Sequence, residues 1–245
     1  DELDLAETAL RRGLHSVSDW AAGYLETNLG LVLMTRALSE PSHLVEAAQI
    51  FEQVLERFVR AGHLQGISYA LSNRAICYLA QGKFADVKPS FEKTIRLARQ
   101  MPEKWSAYGA QANLALLHLA EPEPDRQAAW DLATSVREQA RENGDPKGVA
   151  DASLIAGRAA LDLVKQGNAI ALVPQVRELL QEAAAIFSRL GQRLGGGQAL
   201  LGLAELADLV DEVRQATDFR QQAQELFEQA QQPCLPPRLQ PLPWH

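Results

Sequence analysis

Asn28-Leu29-Gly30-Leu31-Val32-Leu33, Asn73-Arg74-Ala75-Ile76-Cys77-Tyr78 and Asn113-Leu114-Ala115-Leu116-Leu117-His118 are three copies of one short pattern. Each opens on Asn, puts a very small residue two positions later and a large one three further on. A fourth copy survives as Ile155-Ala156-Gly157 with Ala160, and a fifth as Gly202-Leu203-Ala204 with Ala207. The copies start 40 to 47 residues apart. Self-similarity at such a period is the mark of repeat architectures, in which each unit stacks on the next.

A second stretch with helical periodicity follows each copy: 44–58, 84–98, 128–140, 176–190 and 219–230. In the first of these Ala47, Phe51, Val54, Leu55 and Phe58 recur at three- and four-residue steps, which is one buried helix face. Breakers punctuate the pairs at Pro41, Gly82, Pro102, Pro122, Pro124, Gly144 with Pro146, Gly167 and Gly191, and the Gly195–Gly197 run reads as a flexible turn. The pattern predicts ten helices in five antiparallel pairs over residues 19–232. It predicts an incomplete repeat helix in 1–18 and a Pro-rich tail or linker in 233–245.

Composition agrees. Ala (38) and Leu (37) dominate, while Val, Ile and Thr together number 26. That balance favours residues that lose little rotamer freedom in a helix over those that suit a pleated sheet. The fold class expected is all-α. A formal charge of −7 with no Lys/Arg stripe argues against nucleic acid and against an anionic membrane surface as partners. No apolar run is long enough to span a bilayer. No secretory signal opens the chain, and two distant cysteines make neither a disulfide framework nor a metal cluster, so a cytoplasmic home is the default. Opening on Asp1, the chain reads as a processed or excised piece, which leaves open a signal already removed.

The second unit, with Ala75, Tyr78, Gly82, Phe84 and Phe91, resembles the tetratricopeptide repeat in its longer, roughly forty-residue form. The first unit contributes Leu29-Gly30 with Ala47 and Phe51, and the fifth Ala204 with Ala223 and Phe227. The stretches Arg60-Ala61-Gly62-His63-Leu64-Gln65-Gly66 and Arg141-Glu142-Asn143-Gly144-Asp145-Pro146-Lys147-Gly148 are similar to linkers between long-type repeats. Such repeats occur in kinesin light chains, Rap-type bacterial signalling regulators and arrays attached to CHAT protease domains. The resemblance implies a right-handed superhelical solenoid in which small residues let paired helices approach and Phe51, Tyr78, Phe91, Phe187 and Phe227 fill the space between pairs.

Signs of catalysis are poor. No GxSxG, HExxH, P-loop or CxxC motif occurs. Gly195–Gly197 follows a helix, not a strand, and lacks the Lys-Ser/Thr of a phosphate cradle. The five histidines share no metal-binding spacing, and Cys77 reads as a small hydrophobe. The expectation is a non-enzyme without cofactor or metal.

In arrays of the resembled kind the first helices of the pairs line a concave groove. Residues a turn apart there are Tyr24, Asn28 and Leu31; Tyr69, Asn73 and Ile76; and Asn113 and Leu116. A side-chain amide has both donor and acceptor, so a row of them can pair with the main chain of an extended peptide. The resemblance implies that role for Asn28, Asn73 and Asn113; the alternative is that they order the helices by bonding across repeats. Tyr24 and Tyr69 read equally as anchors or core. Further along, Asp151, Arg158, Asp162, Glu205 and Asp208 form either an acidic groove end, with Arg158 among its lining residues, or an ordinary solvated face. The function expected is a protein–protein interaction module that binds a peptide or helix. The alternatives are a sensor array of a larger signalling enzyme, such as a CHAT-type protease, and a homo-oligomerising scaffold.

Overall fold

The computed structural model describes residues 2–15, 17–37, 40–100, 105–167 and 169–230, apart from the side chains at 19, 20 and 105–107. Pro102 and the Pro-rich segment 233–245 lie outside the described residues. The chain runs through α1 (Glu2–Gly13), α2 (Asp19–Arg36), α3 (His43–Arg60), α4 (Leu64–Ala80), α5 (Phe84–Ala98) and α6 (Trp105–Ala120). There follow α7 (Arg126–Glu142), α8 (Pro146–Lys165), a 3-10 turn (Ile170–Leu172), α9 (Val173–Arg189), α10 (Arg193–Leu209) and α11 (Val213–Gln229). Among the described residues there is no strand, and the fold is an all-α, TPR-like solenoid.

The chain divides into two compact units between Ala110 and Gln111. In the first, α1 packs on α2, α2 on α3, α3 on α4 and α4 on α5. In the second, α7 to α11 pack in sequence, and α8 also touches α10. The small residues of the repeat pattern lie where packing is closest. A Cβ on Gly30 would stand 2.6 Å from the Phe51 ring, and one on Gly157 would stand 2.7 Å from Leu180. Ala75, Ala115 and Ala204 are buried, as are Phe51, Phe91, Phe187 and Phe227. Each buried ring is worth roughly 2–3 kcal/mol of transfer free energy.

One turn recurs. Gly62, Gly82, Gly144 and Gly191 close helices in the left-handed region (φ 64 to 72°), where a residue without Cβ is unstrained. In each, the following amide donates to the carbonyl five residues back: His63 to Phe58 (3.0 Å), Lys83 to Tyr78 (2.9 Å), Asp145 to Ala140 (2.9 Å) and Gln192 to Phe187 (2.9 Å). The α10–α11 junction repeats it from Glu212 to Ala207 (2.8 Å), but with Asp211 at φ 60° in the glycine position.

The Gly195–Gly197 run corrects the expected turn. All three glycines lie in the first turns of α10, buried. A Cβ on Gly195 would stand 2.8 Å from Phe187, and one on Gly197 would stand 2.7 Å from Phe227. The run exists because two phenylalanines lie against a helix backbone. α11 also begins six residues before the expected 219.

α1 is held differently. It buries no residue fully, and Leu5 is 73% exposed. Arg36 pairs with Asp4 and Glu7, while Arg11 reaches Glu7 (2.8 Å) and Glu46 (2.6 Å). These ion pairs join α1 to α2 and α3 beside the half-buried Leu3, Ala6 and Leu10.

Candidate ligand-binding face

On α2 the buried side is Ala22, Leu29, Leu33 and Met34, which leaves Tyr24, Asn28 and Leu31 outside the core. Tyr24 is 39% exposed, Asn28 is exposed and Leu31 half-buried. On α4, Tyr69 is 38% exposed and Asn73 half-buried. Ile76 departs from the expected groove lining. It is 3% exposed, because α4 is packed on one side by α3 and on the other by α5, and the turn that carries Ile76 faces that core. Asn113 and Leu116 are half-buried on α6 in the second unit, and Arg158 is half-buried on α8.

Among the described residues neither Asn28 nor Asn73 has a side-chain hydrogen bond. The strong charges beside them on the same helices are paired: Glu26 takes two bonds from Arg57 (2.9 and 3.0 Å), and Arg74 pairs with Glu52, although its Nε is buried without a hydrogen-bond partner. Tyr24 is positioned by aromatic packing. Its ring meets Phe58 edge-on at 5.4 Å and His63 at 5.9 Å, and its hydroxyl lies 3.2 Å from His63 Nε2. His63 is missing from the sequence-based expectation, although it stands before α4 where Asp145 and Gln192 stand before α8 and α10.

In the second unit the five charges expected as a groove end or a solvated face are largely partnered from within. Asp162 lies 3.9 Å from Arg126 and 3.8 Å from Lys165, Glu205 pairs with Lys165, and Asp208 pairs with Arg220. Asp151 accepts from Lys147 at 2.6 Å, yet its Oδ1 is buried without a hydrogen-bond partner. Burial pushes the Asp151 carboxyl up to about 6; Lys147 opposes the shift and the Asp145 carboxylate adds to it. Glu182 is the opposite case. Burial works to raise its carboxyl, but Arg137 (2.6 Å), Ser153 (2.7 Å) and Arg141 (2.6 Å) donate to it and hold it below its ordinary value. That single carboxylate ties α7, α8 and α9 together.

Burial pushes the Cys77 thiol up to about 12, so it stays an uncharged core group. The described residues contain no group of side chains suited to hold a metal ion, and none of their helices is long and apolar enough to cross a membrane.

The sequence matches no family model and no curated protein. Its fold is similar to that of BtubC (BKLC) from P. vanneervenii, with a TM-score of 0.63 at 13% identity, over 94% of this chain and 90% of that one. It is also similar to the nearly identical TPR-like repeats of a Podosopora anserina protein named for kinesin light chain. There the TM-score is 0.55 at 17% identity, over 84% of this chain and 94% of the other.

Proposed function

We propose that the chain is a non-catalytic protein-interaction scaffold whose α2–α4 face takes an extended, uncharged peptide segment. The observation that carries this reading is the pair Asn28 and Asn73, whose amides have no side-chain hydrogen bond among the described residues. If they served only to order the helices, each amide would have a bond to show for it. Each lies one helical turn from a tyrosine that is more than a third exposed. Amides supply donors and acceptors to a peptide main chain, while aromatic rings supply the anchoring area that dominates binding energy. With Glu26, Arg57, Glu52 and Arg74 already paired, the face has little charge to offer, so affinity comes from shape and backbone bonding. The likeness to kinesin-light-chain-type repeat folds supports the scaffold role at the level of fold.

The test is selection of random peptides on the whole chain, beside an Asn28→Ala/Asn73→Ala variant shown by circular dichroism to be equally helical. The expected result is a set of peptides, poor in charge, that bind the variant at least about tenfold more weakly, the loss of one or two good hydrogen bonds. Equal binding to both proteins refutes the reading.

A further inference from the structure

We propose that His63 is a proton-sensitive positioning residue, clamping Tyr24 at one end of the α2–α4 face to the first turn of α4. Its functional meaning rests on the reading of that face as a peptide surface; the clamp itself rests on geometry alone. The Gly66 amide donates to His63 Nδ1 at 2.9 Å. A backbone N–H can only donate, so Nδ1 presents its lone pair and the proton of the neutral imidazole sits on Nε2. Nε2 lies 3.2 Å from the Tyr24 hydroxyl and therefore donates to it. The ring is also packed against Phe58, with centroids 5.2 Å apart. Gly66 makes room for this arrangement, since a Cβ there would stand 2.5 Å from Phe58 and 2.7 Å from Nδ1. One imidazole thus caps a helix with one nitrogen and holds an aromatic anchor with the other.

A second proton breaks the arrangement. It puts an N–H on Nδ1 facing the Gly66 N–H, and it places a cation at the positive end of the α4 dipole. The charged groups on the packed elements offer no compensation. Glu26 of α2 and Arg57 of α3 are committed to one another, and Arg60 at the end of α3 is exposed. Tyr24 is the titratable group in direct contact. The turn before α7 does the same capping with a carboxylate, Asp125 accepting from the Ala128 amide at 3.0 Å. Imidazole differs from that carboxylate in that a proton on its capping nitrogen turns the acceptor into a donor. A second proton on His63 therefore frays the start of α4, and the ring, as it turns away from the Gly66 amide, carries its Nε2–H bond to Tyr24 with it.

The experiment is NMR on the whole isotope-labelled chain from pH 8 to pH 5. Long-range proton–nitrogen spectra read the His63 tautomer, amide exchange reads Gly66, and ring resonances read Tyr24. The expected result is the Nε2–H tautomer at pH 8. On acidification the Gly66 amide should lose about five- to tenfold of its protection, as for a lost helix cap, with Tyr24 shifting along the same titration. His63→Asp keeps an acceptor cap and should leave Tyr24 and Gly66 flat over this range, whereas Tyr24→Phe should keep the Gly66 response. An Nδ1–H tautomer at pH 8, a Tyr24 ring indifferent to His63, or an unchanged response in His63→Asp overturns the clamp. No peptide enters the measurement. Its failure leaves the peptide reading standing, and a failed peptide selection leaves the clamp standing.

Discussion

Replacing Asp151 by Asn should stabilise the second unit at neutral pH, by an amount that vanishes in acid. Asp151 is a helix-interior carboxylate with one oxygen on Lys147 and the other buried and unpartnered. Its carboxyl is raised from an ordinary 3.8 to about 6, chiefly by burial, despite the lysine. At about 1.4 kcal/mol for each pH unit, the ionised form costs the folded state about 3 kcal/mol. The folded state holds the proton more tightly than the unfolded chain. The favourable contribution is therefore fully present below pH 3.8 and is lost as pH rises through about 6. Asn keeps the shape and removes the charge, and Lys147, about a third exposed, can turn to water.

The variant and the wild type should unfold alike near pH 4. Above pH 7 the variant should melt higher by about 6–12 °C, taking 2–4 °C per kcal/mol for a chain of this size. Thermal denaturation followed by circular dichroism at pH 4, 5.5 and 7.5 measures this directly. A gap that does not widen with pH, or a variant less stable at pH 7.5, would mean that the Lys147 pair outweighs burial, and the reasoning fails.

Three further outcomes are expected. Glu182→Gln should destabilise by about 2 kcal/mol, because Arg137 and Arg141 lose a shared charged acceptor. Since folding lowers the Glu182 carboxyl below its ordinary value, the wild-type advantage is present above that value, 4.5, and fades as pH falls; urea titrations at pH 7 and pH 3.5 check both. Asp211→Gly should raise stability in urea titrations by up to about 1 kcal/mol, as relief of left-handed strain exceeds the added chain entropy; a drop would show that Asp211 is held there by a contact. Gly197→Ala should cost about 1–3 kcal/mol by driving a methyl into Phe227, whereas Gly109→Ala, with nothing within 4 Å, should gain up to about 1 kcal/mol of helix propensity. Parallel melting curves for those two alanine variants would refute the packing account.

Helix order is legible in the sequence because it rests on periodicity and on Gly and Pro, which act locally. α3, α5, α7 and α9 fall where the three- and four-residue steps place them, within a few residues at either end. What the sequence hides is complementarity between distant residues. The fourth copy keeps only Ile155-Ala156-Gly157 with Ala160 of the pattern, yet Leu180 fills the gap above Gly157 and also lies 3.0 Å from where a Cβ on Gly202 would stand. One leucine therefore serves two successive first helices. The same blindness makes Gly195–Gly197 read as a turn, since the reason for the glycines, Phe187 and Phe227, lies elsewhere along the chain. Spacing from Asn73 assigns Ile76 to the groove, but spacing fixes the angle around a helix, not how far a neighbouring helix covers it.

Charge illustrates the limit most sharply. In sequence, Asp151, Asp162, Glu205 and Asp208 are four acids at similar places in two repeats, so summation makes them an acidic surface. In space, all four meet cations from neighbouring turns and helices, and the far field of Asp162, Glu205 and Asp208 is largely cancelled within the unit. The fourth, Asp151, is set apart by desolvation, which no charge count registers. The first unit runs the other way. Asn28 and Asn73 contribute nothing to a charge count and are poor helix formers, yet they stand without side-chain bonds among the described residues, beside two part-exposed tyrosines. On the proposed reading the partner of these amides is the main chain of a bound peptide, which the selection with the Asn28→Ala/Asn73→Ala variant tests.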